Sequence, residues 1–263
     1  MITIVSSNIH EILVNLDQAR LTKIPTPGEM LCFKGIVPGF LKIPVTILIT
    51  GSGESRSLVA LNWLNENIKS EYIVHVGFSD STKDGATPGH IIISSAIGNL
   101  FGYPIDWDLS NINFIHNIDE NLYRISKISC LNGNLDFHLG KSISVSNKFR
   151  TNRLRTWINT RKDIVSIDDT GFFIGNYAKE NNIPFLSITS VINYVHDNKK
   201  NFIKGLDYSP EENLEHKLKF FPELISSHDF KKRLKVSRLK LNKFINLFGS
   251  EFSNQILRTD SSI

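Results

Sequence analysis

Two short apolar runs in the first third of the sequence each end in small and hydroxyl-bearing residues. Residues 44–49 lead into Thr50, Gly51 and Gly53, and residues 72–76 lead into a Gly-Phe-Ser-Asp-Ser stretch at 77–81. A helix-length segment separates the two runs, which is the spacing of a strand, a turn, a helix and a second strand with its turn. Polar turns at the carboxyl ends of parallel strands are where open α/β sheets bind ligands. The sequence therefore predicts a binding site at these turns.

Two later runs end in residues that could do chemistry. Residues 163–167 are followed by Asp168, Asp169 and Thr170, and residues 185–192 are followed by Asn193. Carboxylates accept hydrogen bonds and can act as bases, whereas an amide carries both a donor and an acceptor but cannot deliver a proton. These strand ends are further candidates for the site.

The elements that would position these residues alternate along residues 1–200. We predict strands at 1–5, 30–33, 44–49, 72–76, 90–94, 140–146, 163–167 and 185–192. Helices are predicted at 9–16, 55–67, 150–162 and 171–181, with Trp63 in a packing role. Residues 97–127 show no clear period and are predicted to be loop and insertion. No internal repeat or low-complexity segment is evident.

Composition excludes several classes of protein. The chain has 263 residues, 41% hydrophobic and 21% charged, with a formal net charge of +4, which is ordinary for a globular protein. Two cysteines, Cys32 and Cys130, give neither a disulfide framework nor a metal spacing, and the eight histidines give no ligand spacing either. The first residues lack a signal-peptide pattern, and no apolar run approaches the roughly 20 residues that span a membrane. We expect a cytoplasmic protein with no bound metal and no membrane partner.

The last quarter of the chain differs in character. Two amphipathic helices are predicted around residues 214–225 and 234–248, so residues 201–263 are expected to form a helical extension packed on the domain of residues 1–200. Seven cations fall between Lys231 and Lys243. They would suit nucleic acid, but the segment also carries an apolar stripe, and a charged helix face is usually only solvated. Nucleic-acid binding is therefore a minor alternative.

Four blocks, taken in order, resemble the purine nucleoside phosphorylase and nucleosidase superfamily. The first is an N-terminal strand, turn and helix with a glutamate, Glu11. The second is Ile-Thr-Gly-Ser-Gly at 49–53, and the third is Val-Gly-Phe-Ser-Asp-Ser at 76–81 with Pro-Gly-His-Ile-Ile at 88–92. The fourth runs from 167 through Asn-Ile-Pro-Phe-Leu at 182–186 to Ser-Val-Ile-Asn-Tyr at 190–194. The closing segment is most similar to futalosine hydrolases, which are nucleosidases that release hypoxanthine.

The resemblance implies an α/β fold: a three-layer α/β/α sandwich with a mixed central sheet and a C-terminal helical extension. It also implies that the chain cleaves the N-ribosyl bond of a purine nucleoside and forms a homodimer or a larger assembly.

The resemblance also implies roles for individual residues. Glu11 would polarise the attacking water, and the alternative is a solvated first-turn glutamate. Asn193 would face the base, where many family members have a proton-donating aspartate, and its amide would favour a 6-oxopurine; the alternative is a strand-end cap. The remaining binding residues implied are Thr50, Gly51, Gly53, Gly77, Phe78, Ser79, Phe149, Asp168, Asp169 and Thr170. Of these, Phe149 would stack on the base or else pack in the core.

Several positions depart from the family pattern. Counted back from Pro184 without a gap, the ribose-binding glutamate position holds Thr170, and a one-residue slip would give that role to Asp169. The closing arginine is Thr189, and Asp80-Ser81 replaces a pair of glycines. Two alternatives therefore stay open beside hydrolysis: phosphorolysis with bound phosphate, and a catalytically inactive nucleoside-binding or scaffold protein. No other cofactor is expected.

Overall fold

The computed structural model describes residues 1–12, 19–41, 43–100, 112–115, 118–146, 149–160, 163–195, 209–211 and 227–260. The predicted helix at 214–225 lies outside these residues. The strands are Ile2–Ser6 (β1), Arg20–Ile24 (β2), Leu31–Ile36 (β3), Val45–Ile49 (β4), Tyr72–Ser81 (β5), Ile91–Asn99 (β6), Phe114–Ile115 (β7), Phe137–Ser144 (β8), Ile164–Asp168 (β9) and Phe185–Asn193 (β10). The helices are Glu54–Asn67 (α1), Glu120–Asn132 (α2), Asn152–Asn159 (α3), Gly171–Glu180 (α4) and Ser227–Asp260 (α5). A short helical segment also begins at Ile9.

The described strands form one mixed sheet in the order β10-β6-β8-β9-β5-β1-β4-β3-β2, with β7 beside β6. Strand β1 runs parallel to β4 and to β5, and β5 runs parallel to β10. The carboxyl ends of these four strands therefore meet at one edge. Because β10 pairs with both β5 and β6, the strands β5, β10, β6, β8 and β9 close into a ring. The mixed central sheet is as predicted.

Helices cover both faces of the sheet, because successive residues of a buried strand point to opposite sides. Ile4 and Val74 share one apolar cluster with residues of α2 and α5. Val5 and Ile73 share another with residues of α1 and α4, and Trp63 packs against it. The three-layer α/β/α prediction is confirmed.

The prediction of loop and insertion at 97–127 is wrong at both ends. Strand β6 continues to Asn99, and helix α2 begins at Glu120, where the side chain of Asp119 caps it by accepting a hydrogen bond from the Leu122 N–H at 2.8 Å. Two buried positions of α2 are serines. Their hydroxyls donate to backbone carbonyls within the helix, Ser126 to Tyr123 at 2.7 Å and Ser129 to Ile125 at 2.8 Å. Buried serines satisfied in this way interrupt the apolar period that marks a helix in a sequence.

Helix α5 packs along α2 and β10. Phe230, Leu234, Leu241 and Phe244 on α5 are buried in the same apolar cluster as strands β1 and β10. The C-terminal helix predicted from residues 234–248 therefore exists, and it extends further than predicted. The division of the chain at residue 200 stays a prediction. Within the described residues, no helix is long and apolar enough to cross a membrane.

Candidate functional site

Glu11 lies at the sheet edge where β1 and β5 come together, with only 1% of its surface exposed. The hydroxyls of Ser6 and Ser7 donate to its carboxyl group, as do the backbone N–H groups of Asn8 at 3.2 Å and Phe78 at 3.1 Å. Burial raises the pKa of Glu11 to about 7, against the lowering effect of the Ser6 hydroxyl, and the charge of Asp169 adds to the rise. The carboxyl group therefore changes its protonation state near neutral pH.

Gly77, a residue without a side chain, lies beside Glu11 and His75. A β-carbon on Gly77 would lie 3.6 Å from both carboxyl oxygens of Glu11 and 3.4 Å from Nε2 of His75. Any side chain at this position would fill the space between the two groups. Gly77 is inside strand β5, not in the turn that the sequence predicted at 77–81, because β5 continues to Ser81 and pairs there with β9.

His75 is a buried residue of the site that sequence reasoning missed. Its ring nitrogens share hydrogen bonds with Ser187 of β10 at 2.9 Å and with Thr170, at the start of α4, at 3.2 Å. Burial lowers the pKa of His75 to about 4, although the charge of Asp169 opposes the shift. The imidazole is therefore neutral at neutral pH. The available signal was a single polar residue within the apolar run of β5.

Asp168 closes the amino end of α4. Its Oδ1 accepts from the Ser144 hydroxyl at 2.5 Å and from the backbone N–H groups of Thr170 at 3.2 Å and Gly171 at 3.1 Å. Burial raises the pKa of Asp168, and these hydrogen bonds and the charge of Arg150 oppose the rise. In this position the carboxyl group caps a helix, and the binding role predicted for it stays a prediction.

An ion cluster occupies the far end of β5, where Asp80, Arg150 and Arg155 are all at most 1% exposed. Arg150 Nη2 lies 3.2 Å from Asp80 Oδ1, and Arg155 Nη1 lies 3.5 Å from Asp80 Oδ2. Asn193 Nδ2 donates to Asp80 Oδ1 at 2.7 Å. Burial acts to raise the pKa of Asp80, but the two guanidinium groups and the Asn193 amide outweigh it, so the pKa of Asp80 is lowered. We name Asp80, Arg150, Arg155 and Asn193 the arginine cluster.

Asp169 connects the arginine cluster with Glu11. Its Oδ1 lies 3.9 Å from Arg150 Nη1, and its charge acts on both Glu11 and His75. The structure thus brings together Glu11, Asp169, Thr170 and Asn193, four of the residues predicted from the sequence. It adds His75, Arg150 and Arg155. Arg150 and Arg155 were predicted only as part of the helix at 150–162, and nothing in their spacing shows that they turn inward.

The turn after β4 joins the Glu11 region through the backbone. The N–H groups of Thr50 and Gly51 donate to the carbonyl oxygens of Ser6 at 2.9 Å and Ser7 at 3.0 Å. Gly53 has a φ of 85° and is the N-cap of α1. The sugar-binding role predicted for Thr50, Gly51 and Gly53 stays a prediction.

Three other predicted binding residues are engaged within the protein. The side chain of Phe78 belongs to the main apolar cluster, so only its backbone reaches Glu11. The Ser79 hydroxyl accepts from Thr189 at 2.8 Å, and Phe149 packs against an apolar cluster formed by β8, β9 and α3. Base stacking by Phe149 therefore stays a prediction. Among the described residues there is no group of three or more histidine, cysteine or acidic side chains that could hold a metal ion.

Comparison with solved structures identifies the fold. The chain superposes on a 5′-methylthioadenosine/S-adenosylhomocysteine nucleosidase from Neisseria meningitidis with a TM-score of 0.71, 11% identity and coverage of 95% of this chain and 98% of that one. The corresponding enzyme of Colwellia psychrerythraea, in complex with adenine, gives a TM-score of 0.70, 15% identity and coverage of 95% and 94%. Futalosine hydrolase of Helicobacter pylori gives a TM-score of 0.69, 12% identity and coverage of 93% and 97%. No protein-family model and no curated protein matches the sequence. The chain has the fold of the nucleoside phosphorylase and nucleosidase superfamily, and at these identities the likeness concerns the fold alone.

Proposed function

We propose that this protein is an enzyme that hydrolyses the N-ribosyl bond of a purine nucleoside. The observation that carries the proposal is Glu11, a buried carboxyl group with a pKa raised to about 7 that lies beside Gly77, a residue without a side chain, and faces His75 across it. Departure of the base leaves an oxocarbenium-like ribosyl group. Ionised Glu11 takes a proton from water as the oxygen attacks that carbon.

The remaining roles in the proposal follow from the shared edge of the sheet. Thr50 and Gly51 face the sugar and the water, and Asp169 and Thr170 hold sugar hydroxyls at the end of β9. Asn193 faces the base, and the proposed base is a 6-oxopurine, as in a futalosine hydrolase. A homodimer or larger assembly and a cytoplasmic setting belong to the same proposal.

The test is release of free base from inosine, futalosine and methylthioadenosine, with and without phosphate. We expect release from at least one of them without phosphate. Replacement of Glu11 by Gln should abolish it, whereas Glu66→Gln, which changes an exposed glutamate on α1, should leave it unchanged. Release that requires phosphate would instead indicate a phosphorylase.

A non-catalytic nucleoside-binding protein is the second candidate, and one contact favours it. Thr189, at the position of the family's closing arginine, donates its hydroxyl to Ser79, so the two side chains satisfy each other. Tight nucleoside binding measured by calorimetry, without base release, would support this candidate.

A further inference from the structure

The arginine cluster has a consequence for the way in which the base leaves. Asp80 carries a negative charge, because Arg150 and Arg155 lie within 3.5 Å of its carboxylate oxygens. An ionised carboxylate only accepts hydrogen bonds. The atom of Asn193 that lies 2.7 Å from it must therefore be the amide nitrogen, as the structure has it, and this fixes the orientation of the Asn193 amide.

None of the four groups in the arginine cluster can supply a proton near neutral pH. An amide has no dissociable proton in this range, and a guanidinium stays charged. The carboxyl group of Asp80 is already ionised, and the pKa of Asp80 is lowered rather than raised. Asp80 stands on β5 directly beside Asn193 on β10, so the carboxyl group that comes closest to Asn193 within the described residues is not an acid.

We propose that the base leaves without being protonated, and that the site therefore takes nucleosides whose base is a good leaving group by itself. The inference rests on the proposed function, in which Asn193 faces the base. Suitable bases are acidic ones, such as 6-oxopurines, which leave as anions, and bases that already carry a positive charge. Asp80 is then a positioning residue, which orients the amide of Asn193 without contacting the substrate.

The charge on the departing base differs between the two kinds of base, whereas the bonds that break and form are the same. In both, the bond between C1′ and N9 breaks and its electron pair stays on N9, while a water oxygen bonds to C1′ and gives its proton to Glu11. A 6-oxopurine leaves as an anion and takes up a proton afterwards. A base alkylated at N7 is cationic in the nucleoside and leaves as a neutral molecule, with no proton required.

The experiment compares inosine with 7-methylinosine below pH 6, where the two differ by one methyl group and one positive charge. Because a general acid contributes about 10²–10⁴-fold to a rate, its absence should make 7-methylinosine react at least about 100-fold faster. The rate with inosine should rise with pH through about 7 as Glu11 ionises, and should then stay level up to pH 8, before inosine itself loses its N1 proton. Similar rates for the two nucleosides, or a rate with inosine that already falls between pH 7 and 8, would show that an acid acts and would overturn the inference. Asp168, whose pKa is raised, would be the first candidate for that acid.

Asn193→Asp provides an independent test. The new carboxyl group would lie beside the ionised Asp80, and repulsion between the two carboxyl groups raises the pKa of the new one, against the lowering effect of Arg150 and Arg155. This variant should gain about tenfold or more with inosine below pH 6 and little with 7-methylinosine. Turnover of 7-methylinosine also reports whether the variant is folded. A folded Asn193→Asp variant with no gain in the rate with inosine would count against the inference. Failure of the wild-type protein to cleave either nucleoside would instead remove the proposed function itself.

Discussion

Glu11 and Asp80 are two buried carboxyl groups beside the same strand, β5, and their surroundings are opposite. Glu11 receives its hydrogen bonds from hydroxyl and backbone N–H groups, and burial raises its pKa to about 7. Asp80 is no more exposed, yet two guanidinium groups contact it and its pKa is lowered. Burial alone therefore does not determine the charge of a carboxyl group; the nearest cation does. The outcome is one carboxyl group able to exchange a proton near neutral pH and another with a fixed charge.

The largest effect is expected from Asp80→Asn, which removes the carboxylate that Arg150 and Arg155 share and leaves Asp169, 3.9 Å from Arg150, as the remaining acidic group of the pair. Breaking a buried ion pair from one side costs about 3–5 kcal/mol. The free energy of unfolding, measured by urea titration at pH 7, should fall by that amount. Asp84→Asn, four residues further along and exposed, is the control and should change it by less than about 0.5 kcal/mol. A small effect of Asp80→Asn would mean that another group neutralises the arginines.

The next effect concerns Glu11 and the dependence of stability on pH. The folded protein raises the pKa of Glu11 from 4.5 to about 7, so it favours the protonated form. The contribution of protonated Glu11 to the free energy of unfolding is therefore complete below pH 4.5, declines as the pH rises to about 7, and is lost above it. The loss is about 3 kcal/mol, since one pKa unit corresponds to about 1.4 kcal/mol. In urea titrations, Glu11→Gln should therefore gain stability relative to the wild-type protein as the pH rises from 4.5 to 7, and the absence of a relative gain would assign the titration to another group.

His75 acts in the opposite direction. The folded protein lowers the pKa of His75 from 6.5 to about 4, so it favours the neutral form. The contribution of neutral His75 to the free energy of unfolding is therefore complete above pH 6.5 and is lost as the pH falls towards 4. Between pH 4.5 and 6.5 the contributions of Glu11 and His75 oppose each other. In Glu11→Gln, stability should therefore increase with pH over this range, whereas in His75→Asn it should decrease. If the free energy of unfolding changed with pH in the same way in the two variants, Glu11 and His75 would not be the groups responsible.

The smallest effect on stability is expected from Gly77→Ala. The added methyl group would lie 3.4 Å from His75 and 3.6 Å from the carboxyl oxygens of Glu11, which are ordinary contact distances. The free energy of unfolding should change by less than about 1 kcal/mol. Under the proposed function the methyl group occupies the space beside Glu11, so base release should fall about 100-fold, as expected for loss of a positioned general base. Unchanged base release would show that the reacting water lies elsewhere.

Part of this arrangement could be predicted from the sequence. Buried parallel strands have nearly continuous apolar runs, so β1, β4, β5 and β10 were identified, and with them the polar residues at their ends, among them Asn193. Helix α2 was missed because serines on its buried face interrupt the apolar period. His75, Arg150 and Arg155 were missed because their polar partners are distant in the sequence, as in the contact between His75 and Ser187, 112 residues apart.

The sequence by itself determined the order of the strands and helices other than β2, β7 and α2, since that order depends on the periodicity of neighbouring residues. It also determined that position 193 holds an amide, which has no proton to give. Only the tertiary structure decided which charges meet. Pairing of β10 with β5 closes the ring of strands and brings Asn193 to Asp80 across 113 residues, and α3 carries Arg155 inward to the same carboxylate. Electrostatic interactions depend on distance in space and on burial, so the protonation of Glu11 and the charge of Asp80 are properties of the fold.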